Sequence, residues 1–292
     1  NIWVANKNYF LNFFLNKNYD VSILSEGNKF YGSGFHYLSF FIEIFTVHLP
    51  QLAGLENKAK IILSKHVSVF LFFVLSGLIF RKIINLIINN TSYSNLATTF
   101  YLLYPYLLGH SFFNIKDIPF LTFWLICTYF IIRIIKQFFY KNTIKRKHVI
   151  FLSIFTAYLL SIRISGILIF IQYFIFMMIL SSIKEYKLIS LLKNYVKEII
   201  ISIIIIFSFY IILQPSFWNN PFLIYEAIKY MSQHIQTVCT ITLGECMKAQ
   251  NLPATYLPIW IFFKLPILIL AGLVLYFIIE NKLNKKNFTL LI

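Results

Sequence analysis

Residues 67–82 read VSVFLFFVLSGLIFRK. A run with no formal charge from Val67 to Phe80 stops on the paired cations Arg81-Lys82. Such a run reads as a helix that crosses a bilayer and leaves it at its basic end. Working outward, the pattern recurs at 96–108 (interrupted by Pro105), 118–135, 149–160, 164–180, 199–213 and 257–279. These make about seven expected transmembrane helices. Several are shorter than the roughly 20 residues a perpendicular span needs. The fold class expected is an all-α polytopic membrane protein.

Composition agrees. Of 292 residues, 59% are hydrophobic, 19% aromatic and only 12% charged, with a mean hydropathy of +0.74. A water-soluble domain of this length has no core large enough to hide that much Ile, Phe and Leu. Disordered and collagen-like chains are excluded on the same grounds.

The formal net charge is +16, from 26 Lys+Arg against 10 Asp+Glu. The basic residues sit between apolar runs and no nucleic-acid motif accompanies them, so topology explains them better than nucleic-acid binding does. Segments 81–92, 133–148, 184–198 and 280–292 hold 15 basic residues in 56; segments 1–65, 109–117 and 214–256 hold 9 in 117. The positive-inside rule places the first set in the cytoplasm and the second outside. The expected organisation is an outer loop over 1–65, a transmembrane bundle over 66–213 with an outer acidic loop at 109–117, a second outer loop over 214–256, and a last span with a cytoplasmic tail over 257–292.

Within the first loop, residues 30–49 read FYGSGFHYLSFFIEIFTVHL. Apolar residues recur at helical spacing around His36, Glu43 and His48. An amphipathic helix in the outer interface fits the topology, with a span as the alternative. Cys127 lies in an apolar run. Cys239 and Cys246 share a polar loop without histidines or cysteines at zinc spacing, which leaves a loop disulfide or two free thiols. No metal-ligand cluster is visible. Asn89-Asn90-Thr91-Ser92 contains glycosylation sequons, but in an expected cytoplasmic turn.

The stretch 104–120, YPYLLGHSFFNIKDIPF, joins two expected spans on the outer face. Asp117, one of only two aspartates in the chain, opens the second of them, where the helix dipole stabilises a carboxylate by about 0.3–1 kcal/mol. Helix capping alone accounts for an acid there, and Pro119 suits a first turn. Yet His110, Asn114, Lys116 and Asp117 converge within eight residues, and ionisable clusters at membrane depth mark functional sites.

These residues resemble the second acidic motif of the bacterial GT-C membrane glycosyltransferases. That family comprises the polyprenyl-phosphate-sugar-dependent enzymes related to protein mannosyltransferases and lipid A aminoarabinose transferases. Asp117-Ile118-Pro119 is similar to the family's Asp-x-Pro element at the start of a span. Residues 214–221, QPSFWNNP, and 252–258, LPATYLP, resemble its Pro-Trp-x-x-Pro and Leu-Pro-x-x-Tyr-x-Pro signatures. The three occur in order across 30–270. The resemblance implies a multi-pass protein of a bacterial inner membrane with its active site on the periplasmic side. It also implies a first outer loop with interfacial helices, and transfer of a sugar from a polyprenyl-phosphate donor to a glycan, lipid or protein acceptor. Family members carry an acidic pair behind their first span. This chain starts at Asn1 without that span or pair, and the expectation is that both lay upstream.

Such chemistry needs a carboxylate to align or deprotonate the acceptor and cations for the leaving phosphate. Asp117 is the candidate catalytic carboxylate for acceptor or sugar positioning, with the principal base expected in the upstream pair. Lys116, Arg163 and, more weakly, Lys264 are the candidates for the phosphate. Arg163 interrupts an apolar region, where an unpaired charge costs roughly 2.5–3.5 kcal/mol. A lipid phosphate offsets that cost; so does snorkelling to the interface, the better account for Lys264. His110 and Asn114 are substrate-binding candidates, as are Trp218 and Tyr256 by stacking, although interface anchoring is the commoner role of Trp and Tyr. Glu226 and Glu245 read as solvated. A transporter or lipid flippase and a non-catalytic membrane subunit are the competing functions; the matched broken halves typical of transporters are not seen.

Overall fold

The computed structural model describes residues 30, 32–49, 54–141, 143–184, 193–218, 220–232, 240–242, 244–248 and 251–280. The chain forms two compact units, Asn1–Ile228 and Lys229–Ile292. The first holds α1 (Gly34–Val47), α2 (Asn57–Ile88), α3 (Thr91–Leu102), α4 (Pro105–His110), α5 (Asp117–Lys141) and α6 (Arg146–Ile162). A 3-10 turn over Ile164–Leu168 then leads into α7 (Ile169–Lys184) and α8 (Val196–Leu213). Helix α9 (Leu223–Ser232) crosses the division. The second unit holds a two-stranded antiparallel hairpin, β1 (Thr240–Thr242) with β2 (Glu245–Met247), and helices α10 (Tyr256–Lys264) and α11 (Ile267–Glu280).

Among the described residues, four helical segments are long and apolar enough to cross a membrane: Asn57–Ile88, Asp117–Lys141, Ile164–Ser182 and Val196–Leu213. Counting α10 and α11 as one bent span makes five. The expected seven is therefore too many, and the reason is local. Pro105 donates no backbone N–H and forces Tyr104 into an extended conformation (φ −63°, ψ 113°), which splits 96–108 into two short helices. Helix α6 ends after 17 residues, where Arg163 turns extended (φ −149°, ψ 134°). Leu265 is extended before Pro266, and the chain there bends by 108°.

Contacts between the helices give the direction of each. Helices α2 and α5 run parallel, joined by Thr122 Oγ1 donating to the Phe72 carbonyl at 3.0 Å and, about four helix turns further along both, by Lys136 Nζ on the Leu86 carbonyl. Helix α3 runs back along α2, with Arg81 Nε donating to Asn95 Oδ1 at 2.6 Å and Ser76 Oγ meeting Tyr101 OH at 2.7 Å. Helix α6 runs back along α5, where Phe123 stacks on Tyr158 at 5.2 Å and Phe130 on Phe151 at 5.7 Å. The tight turn between α2 and α3 uses both asparagines of the sequon stretch. Asn89 takes a left-handed conformation (φ 54°), and the Asn90 side chain caps α3 by accepting from the Tyr93 N–H.

The interhelical seams are lined by small residues. Ser64, Ser68, Ser76, Thr122, Ser153, Thr156, Ala157 and Ser161 are all buried. Apolar area gives little driving force between helices in lipid, so close backbone approach and dispersion hold such bundles together. The hydroxyls stay satisfied by donating to their own helix: Ser68 to the Ser64 carbonyl at 2.7 Å and Thr156 to the Leu152 carbonyl at 2.7 Å. Two larger clusters fill the gaps. One is Phe123, Ile126, Cys127, Leu159, Ile162 and Ile169; the other is Phe35, Val69, Phe73 and Ile118. Cys127 is a free, buried thiol, and Cys246 is disulfide-bonded. Cys239, the partner expected for Cys246, lies outside the described residues.

Candidate functional site

The N-terminus of α5, the C-terminus of α6, the C-terminus of α8 and the start of α1 share one end of the first unit. Glycines make this possible. A Cβ on Gly32 would lie 2.2 Å from the Ile162 carbonyl oxygen and 2.4 Å from that of Ser161, which only glycine tolerates. Next to it, the buried Ser33 hydroxyl lies 2.6 Å from the Leu213 carbonyl and 2.8 Å from Gln214 Oε1. The segment entering α1 is thus wedged between the ends of α6 and α8, directly behind Arg163.

The loop before α5 is built on itself. The Asn114 N–H donates to the His110 carbonyl at 2.9 Å, and buried Ser111 donates to the Leu108 carbonyl at 2.6 Å. Asn114 is the hub. Its Oδ1 accepts from the backbone N–H of Asp117 at 2.9 Å and of Lys116 at 3.2 Å, a helix N-cap. Those two bonds orient the amide, so Nδ2 is the donor on the other side. It reaches Asp117 Oδ2 at 2.8 Å and His110 Nδ1 at 2.9 Å. His110 Nδ1 must then be the acceptor, which leaves the ring proton on Nε2. The ring itself lies 4.4 Å from that of Tyr106.

The other carboxylate oxygen of Asp117 pairs with Arg163 Nη1 across 46 residues of sequence. The pair is half-exposed, with side chains 45% and 52% accessible for Arg163 and Asp117. Lys116 lies within electrostatic reach of both. Burial, and then Arg163, lower its pKa, while Asp117 opposes them. Five of the seven candidates (His110, Asn114, Lys116, Asp117 and Arg163) therefore form one cluster. Arg163 meets a carboxylate there and does not simply snorkel.

The remaining two candidates, Trp218 and Tyr256, are held by other contacts. Trp218 Nε1 donates to the Ile211 carbonyl at 2.8 Å, tying the residue to the end of α8. Tyr256 opens α10 in the second unit, its ring 6.3 Å from Trp260, and Lys264 lies over the Trp260 ring at 4.6 Å. Glu226 and Glu245 are exposed on α9 and β2. No group of three or more His, Cys, Asp or Glu suited to a metal is present among the described residues.

Three ionisable residues that sequence reasoning gave no role stand beside the cluster. His36 on α1 is within electrostatic reach of Lys65 and Lys116, and its Nδ1 is buried without a hydrogen-bond partner among the described residues. Burial first, and then those two lysines, push its pKa down to about 3. Glu43, seven residues on, is only 4% exposed and within reach of Lys65. The signal was present: residues seven apart on one helix share a face, and Lys65 precedes an apolar run. No family model, curated protein or solved structure matches the chain.

Proposed function

We propose that the protein is a membrane glycosyltransferase that moves a sugar from a polyprenyl-phosphate donor to an acceptor hydroxyl or amine at the end of the bundle where α5 begins. One observation carries this reading: a half-exposed carboxylate, Asp117, fixed by Asn114, lies against two cations, Arg163 and Lys116, where three helices end. The resemblance of residues 104–120, 214–221 and 252–258 to GT-C sequences supports it. In this reading the donor phosphate draws Arg163 and Lys116, which stabilise the negative charge that grows as the bond from the anomeric carbon to the phosphate oxygen breaks. Asp117, partly released from Arg163, accepts the hydrogen bond of the incoming acceptor and aligns it on that carbon; as the new bond forms, the acceptor's proton passes to a carboxylate base and the polyprenyl phosphate leaves with the electron pair of the broken bond. His110, with its proton on Nε2, is a neutral donor for a sugar hydroxyl or phosphate oxygen.

The test is transfer from synthetic polyprenyl-phosphate sugars to endogenous acceptors in membranes containing the protein. Product that disappears in Asp117→Asn and Arg163→Gln supports the reading. Donor flux into sealed vesicles without product would replace it with transport.

A further inference from the structure

The end of the first unit opposite Asp117 carries a dense, unbalanced charge. Segments 81–92 and 133–148 hold eight basic residues and no acidic one: Arg81, Lys82, Arg133, Lys136, Lys141, Lys145, Arg146 and Lys147. The parallel pairing of α2 with α5 brings Lys136 onto Leu86, and Gln137 accepts from the Lys145 N–H at 3.2 Å. All eight therefore cluster about the last few turns of α2 and α5 and the first turn of α6. Three of them, Arg133, Lys145 and Lys147, act together on His148, a buried ring held 3.2 Å from Gln137 Oε1. The contacts that Arg81, Arg133 and Lys136 make are to neutral groups: Asn95, Tyr129 and the Leu86 carbonyl. Among the described residues none of the eight has an ion pair. Glu198 is the one described carboxylate at this end, beside Lys193 and Lys197.

A preference for cytoplasmic cations explains the sign of this charge, not its concentration on three adjoining helix ends that close around the Gln137–His148 pair. Apolar flanks continue directly from it. Tyr140 is 71% exposed and Phe151 46%. Cations at a helix end with lipid-facing aromatics beside them match a molecule whose anionic head and acyl chains are joined. We infer that this collar, centred on Arg133, Lys145 and Lys147, binds the headgroup phosphate of an anionic phospholipid of the adjoining leaflet.

The test uses the full chain in mixed micelles of phosphatidylglycerol and phosphatidylcholine, with bound lipid counted by native mass spectrometry. The triple variant Arg133→Gln, Lys145→Gln, Lys147→Gln should bind phosphatidylglycerol about a hundredfold more weakly, at about fivefold for each charge removed. Lys58→Gln with Lys60→Gln, at the far end of α2, should leave binding unchanged. Melting in phosphatidylcholine alone checks that both variants are folded; should the triple variant fail there, single substitutions at the same positions, each losing about fivefold, carry the test. Equal losses in the two variants, or no loss in the collar variant, would overturn the inference. Inorganic phosphate that displaces the lipid at comparable concentration would overturn the lipid as its occupant.

Discussion

Asp117→Asn separates a site from a structural cap. The substitution keeps the shape of the side chain and its hydrogen bond to the Asn114 amide, removes the charge, and turns the oxygen that faces Arg163 into an N–H donor. Its structural cost is bounded by two small quantities. The ion pair to Arg163 is about half-exposed on both sides, and such pairs contribute about 0.2–1 kcal/mol. The charge at the first turn of α5 adds about 0.3–1 kcal/mol through the helix dipole. The total is about 1 kcal/mol, or roughly 3 °C in melting temperature. A carboxylate that aligns or deprotonates an acceptor contributes about 10²–10⁴ in rate. The assay is transfer of labelled sugar from a synthetic polyprenyl-phosphate donor, with melting measured on the same preparation. Near-complete loss of transfer in a protein that melts within a few degrees of wild type is the expected result. Adding Arg163→Gln should not restore transfer, because Asp117 does more than neutralise that arginine. Full transfer by Asp117→Asn would refute the assignment, and recovery in the double variant would reduce Asp117 to a counter-ion.

Asn114→Ala removes the N-cap of α5 and the bridge between His110 and Asp117; it should cost about 1 kcal/mol in thermal unfolding and lower transfer more than that loss explains. Gly32→Ala brings a methyl group within 2.2 and 2.4 Å of two backbone carbonyl oxygens, and should abolish the folded, protease-resistant bundle, whereas Gly54→Ala, with open space around its Cβ, should be silent in the same digestion. His36 has a folded pKa of about 3 against an unfolded value of 6.5. The unfolded chain thus binds the extra proton first, and stability falls as pH drops through 6.5 towards 3. By pH 4 the loss reaches up to about 3 kcal/mol, and His36→Gln should flatten the melting-temperature profile over that window. A profile identical to wild type in His36→Gln would show that other groups set the acid sensitivity.

Much of the helical content was legible from local order. Hydropathy and terminal charge located 67–80, 118–135, 164–180 and 199–213, because an apolar run and the charge that ends it act within a single helix. Asp117-Ile118-Pro119 announced the start of α5 for the same reason. Helix continuity was less legible. Pro105 breaks 96–108 and Leu265-Pro266 bends 257–279, so runs that look uniform in composition are two short helices each; α6 also ends after 17 residues at Ile162, and seven expected spans become four or five.

The site divides along the same line. His110, Asn114, Lys116 and Asp117 lie within one turn and one loop, and their proximity was written in the chain. The pairing of Asp117 with Arg163 was not, because it spans 46 residues and exists only where α5 begins beside the end of α6. The packing of α1 against that end, through Gly32 and Ser33, and the placing of His36 beside Lys116 likewise needed the assembled bundle. Local hydropathy determines which segments become helices, since each residue's transfer free energy acts wherever the segment lies. Which charges meet depends on how the helices pack, and in this bundle close backbone approach at small residues decides that.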